Sequence, residues 1–170
     1  MASGETSLCG FRFDDDNEHP DLYTVLIQVR DDGPIVSRGR VVFFTRLELA
    51  PLALEMDDDP RVRSSILPEL SVDETYIFDM TEISQMIARE ARDDTAMLVD
   101  FLNVLFDLVS ATGIGLPSDY QRILFALANH MTVEREFASF LTHEQISRDQ
   151  IRDAIFWCIG GIASRVIILR

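Results

Sequence analysis

The chain has 170 residues, 47% of them apolar, so it can bury a substantial core, and disorder throughout is excluded. All 15 basic side chains are arginine, set against 29 acids, for a net charge of −14. Such a charge repels nucleic-acid phosphates and speeds encounter with cationic surfaces, so direct nucleic-acid binding is not expected and a basic protein partner is.

The acidity is lopsided. Residues 1–94 hold 21 acids and nine arginines, whereas residues 95–170 hold eight acids and six arginines. The missing lysine agrees with a GC-rich genome of bacterial type, and nothing else in the chain gives it a functional meaning. Cys9 and Cys158 lie far apart in apolar contexts, which points away from a disulfide framework or a zinc site. With no basic and apolar leader at the N-terminus and no apolar run able to span a bilayer, a cytoplasmic chain without membrane insertion is expected.

In chain order, Cys9–Phe13 offers a short strand. Leu22 to Val29 then alternates, with Tyr23, Val25, Ile27 and Val29 on one face, and reads as a strand. Asp31-Asp32-Gly33-Pro34 supplies turn chemistry, and Ile35–Phe44 a second β-rich run, so a β-hairpin is predicted. Thr45-x-x-Glu48 resembles a capping box and Pro51 follows it, which predicts one short kinked helix ended by Glu55–Pro60. Residues 60–74 read as a connection carrying Arg61 and Arg63, and Thr75–Asp79 as a further strand.

From Thr81 the spacing turns helical, with Ile83, Met86 and Ile87 on one face and Thr81 as the expected cap. Asp93-Asp94 separates this helix from Thr95–Ser110, which is apolar over most of its circumference and so is expected to be the central buried helix. Gly113 and Gly115 end it. Ser118 with Gln121, Thr132, and Ser147 with Gln150 mark three later starts. The last helix is expected to carry Ile151, Ala154, Ile155, Cys158, Ile159, Ile162 and Val166 on a broad apolar face. It also places Gly160, Gly161, Ala163 and Ser164 close together, although a mid-helix glycine costs about 1 kcal/mol relative to alanine. The expected architecture is one α+β domain over residues 1–170. A small, mainly antiparallel sheet in strand-rich residues 8–80 packs against a helical bundle in residues 81–170.

No constellation in the sequence carries a recognisable reaction. Asp100, Asn103 and Asp107 form a narrow ridge whose carboxylates stand about 10 Å apart along the helix, too far for one metal ion, and a solvent-facing stripe is the simpler reading. Asp14-Asp15-Asp16-Asn17-Glu18-His19 lacks the ligand alternation and glycine of a calcium loop. It and Asp57-Asp58-Asp59 read as acidic surface for a basic partner. Arg38 and Arg40, with Arg61 and Arg63, form the one basic group able to hold an anion, if they do not simply neutralise the aspartates around them. His130 has an ordinary place near a helix C-terminus, and no nucleophile, base and orienting acid assemble around any histidine. No catalytic residue, metal or cofactor is therefore assigned.

These features favour a non-enzymatic acidic protein-binding module, in the manner of an immunity protein, an inhibitor or a chaperone, engaging a basic partner. A small-ligand- or phosphate-binding regulator or enzyme with its site between sheet and helices is the alternative. A structural subunit, or a homodimer through the C-terminal helices, is a third reading.

Overall fold

A computed structural model describes residues 6–27, 33–65, 75–88, 95–134 and 136–170. Among these residues, seven strands form one mixed sheet: β1 (Thr6–Arg12), β2 (Leu22–Ile27), β3 (Gly33–Pro34), β4 (Val36–Ser37), β5 (Arg40–Phe44), β6 (Thr75–Asp79) and β7 (Val166–Leu169). Their order is β4-β5-β2-β1-β6, with β3 beside β2 and β7 beside β5. Neighbours run antiparallel except for β1 with β6 and β5 with β7, so the fold class is α+β with a mixed sheet.

The period-2 patterns set the two faces. On one, Cys9, Phe11, Leu26, Val41, Phe43 and Phe78 join the core of α3 (Met80–Ala88), α4 (Thr95–Thr112), α5 (Ser118–Val133), α6 (Phe137–Glu144) and α7 (Arg148–Ala163). The helix α4 supplies Leu98, Phe101, Leu102, Leu105 and Leu108 to it, all buried, as its nearly unbroken apolar circumference predicts. The other face, with Tyr23, Val25, Val42 and Phe44, packs on α1 (Ala50–Glu55) and α2 (Pro60–Ser65) through Ala53, Leu54 and Val62. The predicted bundle thus covers one face, and two short helices cover the other.

Several local expectations shift. The run Ile35–Phe44 is not one strand: Arg38 and Gly39, at φ 54° and 70°, make a tight left-handed turn that folds it into the β4–β5 hairpin. The sequence-level turn at Asp31-Asp32, the end of the preceding strand, residues 66–74 and the Asp93-Asp94 break lie outside the described residues. Residues 60–65, read as part of a connection, are α2, because Asp59 accepts the Arg61 N–H at 3.0 Å and Pro60 opens the helix.

Asp79, and not Thr81, caps α3. Its Oδ1 accepts the N–H of Thr81 at 2.9 Å and of Glu82 at 3.0 Å. Thr132 does not start a helix, since its hydroxyl donates back to the Ala128 carbonyl at 2.8 Å and α5 continues through it. Ser147 and Gln150 do form a reciprocal capping box at α7, and Gly113 ends α4 at φ 61°. After α7 the chain turns into β7, where β5 offers free pairing along Val41–Phe44 and the β-branched run Val166-Ile167-Ile168 suits a strand.

Candidate functional site

The sheet and helices do not close completely on one another. Where the ends of β1, β2, β5 and β7 meet α4 and α7, a cleft of about 190 Å³ remains. Its floor is Phe11, Phe13, Leu22 and Phe43 with Val166 and Ile168. Its wall is Phe101, Leu105 and Leu108 of α4 with Ile159, Ile162 and Ala163 of α7, and Met80 closes one end. Every one of these side chains is apolar. The cleft opens to solvent beside Phe13 and Ile168, which stay 50% and 39% exposed.

Sequence places the largest acidic loop at that mouth. The residue after Phe13 begins Asp14-Asp15-Asp16-Asn17-Glu18, all exposed. The loop is shaped from within: Asp21 Oδ2 accepts the Phe13 N–H at 2.8 Å, its Oδ1 accepts from Asn17 Nδ2 at 2.7 Å, and Asp14 accepts the Asp16 N–H at 3.1 Å. Gly10 allows Pro20 to seat against β1, for a Cβ at position 10 would lie 2.6 Å from Pro20 Cγ. Arg12 ties the strand to α3 through Asp79, at 2.6 Å from Nη2 to Oδ2. The Asp79 bond, helped by Asp15 and Glu82, raises the Arg12 pKa above its ordinary value. Burial pushes Asp79 upward, but the Glu82 N–H and the Arg12 guanidinium outweigh it and hold its pKa below the usual carboxylate value.

The second acidic run behaves differently. Asp57 is 7% exposed and accepts the N–H of Val36 at 3.2 Å and of Asp59 at 2.7 Å. Asp58 accepts from the turn, at 2.9 Å from Arg38 N and 3.3 Å from Gly39 N. Asp59 caps α2 and pairs with Arg61 at 3.1 Å. These carboxylates are engaged by their own chain, which leaves Asp14, Asp15, Asp16 and Glu18 as the outward acidic group.

The arginines do not converge on a basic pocket. Arg38 and Arg63 share a cleft on the α1 and α2 side of the sheet, but Asp57 and Asp58 line it too. Arg61 is held by Asp59, and Arg40, exposed at the start of β5, does not line that cleft. None of the four lines the apolar cleft.

Other constellations resolve into local structure. Asp100, Asn103 and Ser110 are exposed on α4, while Asp107 is half-buried. His130 Nε2 lies 2.7 Å from Ser139 Oγ, 3.0 Å from the Glu136 carbonyl and 3.6 Å from Glu134 Oε2. A relay needs the serine and the acid on opposite ring nitrogens, and here all three partners meet one. The group instead fastens the start of α6 to the end of α5. Burial raises the Cys9 thiol to about 12, with a further push from Asp107, and the Cys158 thiol to about 11. Among the described residues, no group of three or more His, Cys, Asp or Glu side chains is placed to hold a metal ion, and no helix is long and apolar enough to cross a membrane.

No protein-family model matches the chain, and no curated protein matches it. Among solved structures, the chain resembles the C-terminal domain of SatS, crystallised in complex with bromine. The TM-score is 0.56 and the identity 11%, over 96% of this chain and 94% of that one. The likeness is one of fold. It covers nearly the whole length of both chains, so the α+β fold is shared although few residues are identical.

The sequence missed the cleft for an identifiable reason. Its walls come from five well-separated stretches of chain, and each lining residue looks like ordinary core. The one local signal is Phe13, a large apolar side chain at the end of a strand and directly against a run of aspartates.

Proposed function

We propose that this chain is a non-enzymatic binding module, of the immunity, inhibitor or chaperone kind. In this reading it holds a basic protein partner through the apolar cleft and the acidic loop at its mouth. The observation that carries the reading is the pairing of Phe13, half exposed over a wholly apolar hollow, with the exposed carboxylates of Asp14, Asp15, Asp16 and Glu18. A hollow of this size compares with the roughly 150 Å³ apolar cavity that takes up benzene, so it suits one large aliphatic or aromatic side chain. Desolvating such an anchor supplies affinity, and the rim charges supply encounter rate and selection against acidic segments.

Of the contrasting reading, a small-ligand- or phosphate-binding regulator or enzyme with its site between sheet and helices, the phosphate-binding form requires arginine there. Arg38, Arg61 and Arg63 sit with α1 and α2 instead, and the cleft offers no polar group to orient a charged ligand.

Fluorescence anisotropy with two labelled peptides tests the proposal. Both carry a leucine and phenylalanine core, one flanked by arginines and the other by glutamates. The arginine peptide should bind, and bind more weakly as salt rises, while the glutamate peptide should not. Equal binding of both, or of neither, contradicts it.

A further inference from the structure

Contacts within the chain explain the outward face of the second half of α7 only in part: the Trp157 ring lies 6.3 Å from that of Tyr120 and keeps its other side exposed. Gly161 has a reason within the molecule, because a Cβ there would fall 2.6 Å from Ile114 Cδ1. Gly160 has none: it is exposed, and a Cβ would meet nothing within 4 Å. An alanine would fit and would stabilise the helix by about 1 kcal/mol. Around it stand Phe156 and Trp157, 55% and 36% exposed, and Ala163 and Ser164, also exposed. Their spacing puts all five residues on one helical face.

Charge marks the same region. Residues 154–170 contain no acid and two arginines, in a chain of net charge −14. Two copies of so acidic a molecule repel one another, and the stretch around Gly160 lets them meet without stacking like charges, the nearest carboxylates of the same face, Asp149 and Asp153, lying two or more turns toward the helix N-terminus.

The face is also complementary to itself. Phe156 and Ser164 lie four residues to either side of Gly160, and Trp157 and Ala163 lie three to either side. An antiparallel crossing with its twofold axis at Gly160 therefore sets each large side chain over a small one, as an isologous contact requires. The missing Cβ lets the two backbones approach at the crossing point.

We propose that a second copy of this chain occupies this face, with α7 packed against α7 across a twofold at Gly160. The face uses no residue of the acidic loop and shares only Ala163 with the wall of the cleft.

Sedimentation velocity on the full chain tests it, at concentrations up to about 100 μM, where interfaces of ordinary affinity are populated. The expected species has twice the 19.3 kDa chain mass. Phe156→Glu and Gly160→Glu, the first placing a carboxylate one turn from the axis and the second on it, should return it to single-chain mass with unchanged circular dichroism. The second of these starts from an exposed position where a Cβ meets nothing within 4 Å. Val133→Glu, at the 81% exposed end of α5, should leave the dimer intact. Gly160→Cys should form a disulfide-linked dimer on mild oxidation. Wild-type protein at single-chain mass throughout, or a Gly160→Glu variant that remains dimeric, overturns the proposal.

Discussion

The carboxylate of Asp58 accepts the backbone N–H of Arg38 at 2.9 Å, and so an acid from an apparent surface run holds the tight turn between β4 and β5. Arg38 carries a left-handed φ of 54°, which a side-chain-bearing residue adopts only at a cost, and Asp58 offsets part of it. Replacing Asp58 with alanine should lower unfolding stability by about 1 kcal/mol, the net worth of a typical hydrogen bond. Urea denaturation measures this. Binding of the arginine-flanked peptide should not change, because Asp58 lies on the far side of the sheet from the cleft.

Asp57 and Asp79 should produce opposite pH dependences. Burial, resisted by the N–H groups of Asp59 and Val36, raises the Asp57 pKa, so its contribution is full below the unfolded value and declines as pH rises through the folded one. Asp79 is held below its ordinary value, so its contribution is present above the unfolded value of about 3.9 and is lost as pH falls through the folded one. Asp79→Asn should therefore flatten the acid limb of the stability profile, and Asp57→Asn should flatten the decline on its alkaline side. Urea midpoints at a series of pH values from about 3 to 7 separate the two.

Gly10→Ala should be costly in two ways. The new methyl meets the rigid Pro20 ring at 2.6 and 2.9 Å, which forces the strand or the loop to move and lowers stability by about 1–3 kcal/mol. Because Pro20 seats the loop that carries Asp14 to Glu18, peptide binding should weaken as well. Gly161→Ala meets only the flexible end of Ile114 and should cost less. Thermal melts of the two variants give the comparison.

Neither cysteine should react in the folded chain. With the Cys9 thiol near 12 and the Cys158 thiol near 11, and both buried, almost no thiolate is exposed at pH 8. Iodoacetamide should label neither within the time that labels both in urea, as mass spectrometry will show. Labelling of native Cys158 at the unfolded rate would contradict the packing described for α7.

Much of the architecture was legible because periodicity reports burial directly. The alternation at Tyr23, Val25 and Ile27 and the apolar circumference of α4 foretold a strand and a central helix, and both follow. What was hidden depended on distant partners. The strand β7 reads as the tail of a helix until β5 is beside it. Asp57 to Asp59 read as solvated acids until the backbone N–H groups they serve are seen. Arg38 reads as a strand residue because its left-handed turn has glycine at only one of two positions. Of the acidic loop, the sequence indicated the charge, but its place at the mouth of a cleft follows from the meeting of β1, β7 and α7.

In the proposed reading, a partner's apolar side chain enters the acidic-rimmed cleft. Backbone amide NMR spectra during titration with the arginine-flanked peptide test this most directly. Shifts should concentrate at Phe13, Leu22, Ile159 and Ala163 and at the loop from Asp14 to Glu18. Phe13→Ala should weaken binding about tenfold, as loss of a buried anchor contact does. Shifts confined to the α1 and α2 side of the sheet, or full affinity in the Phe13→Ala variant, would contradict it.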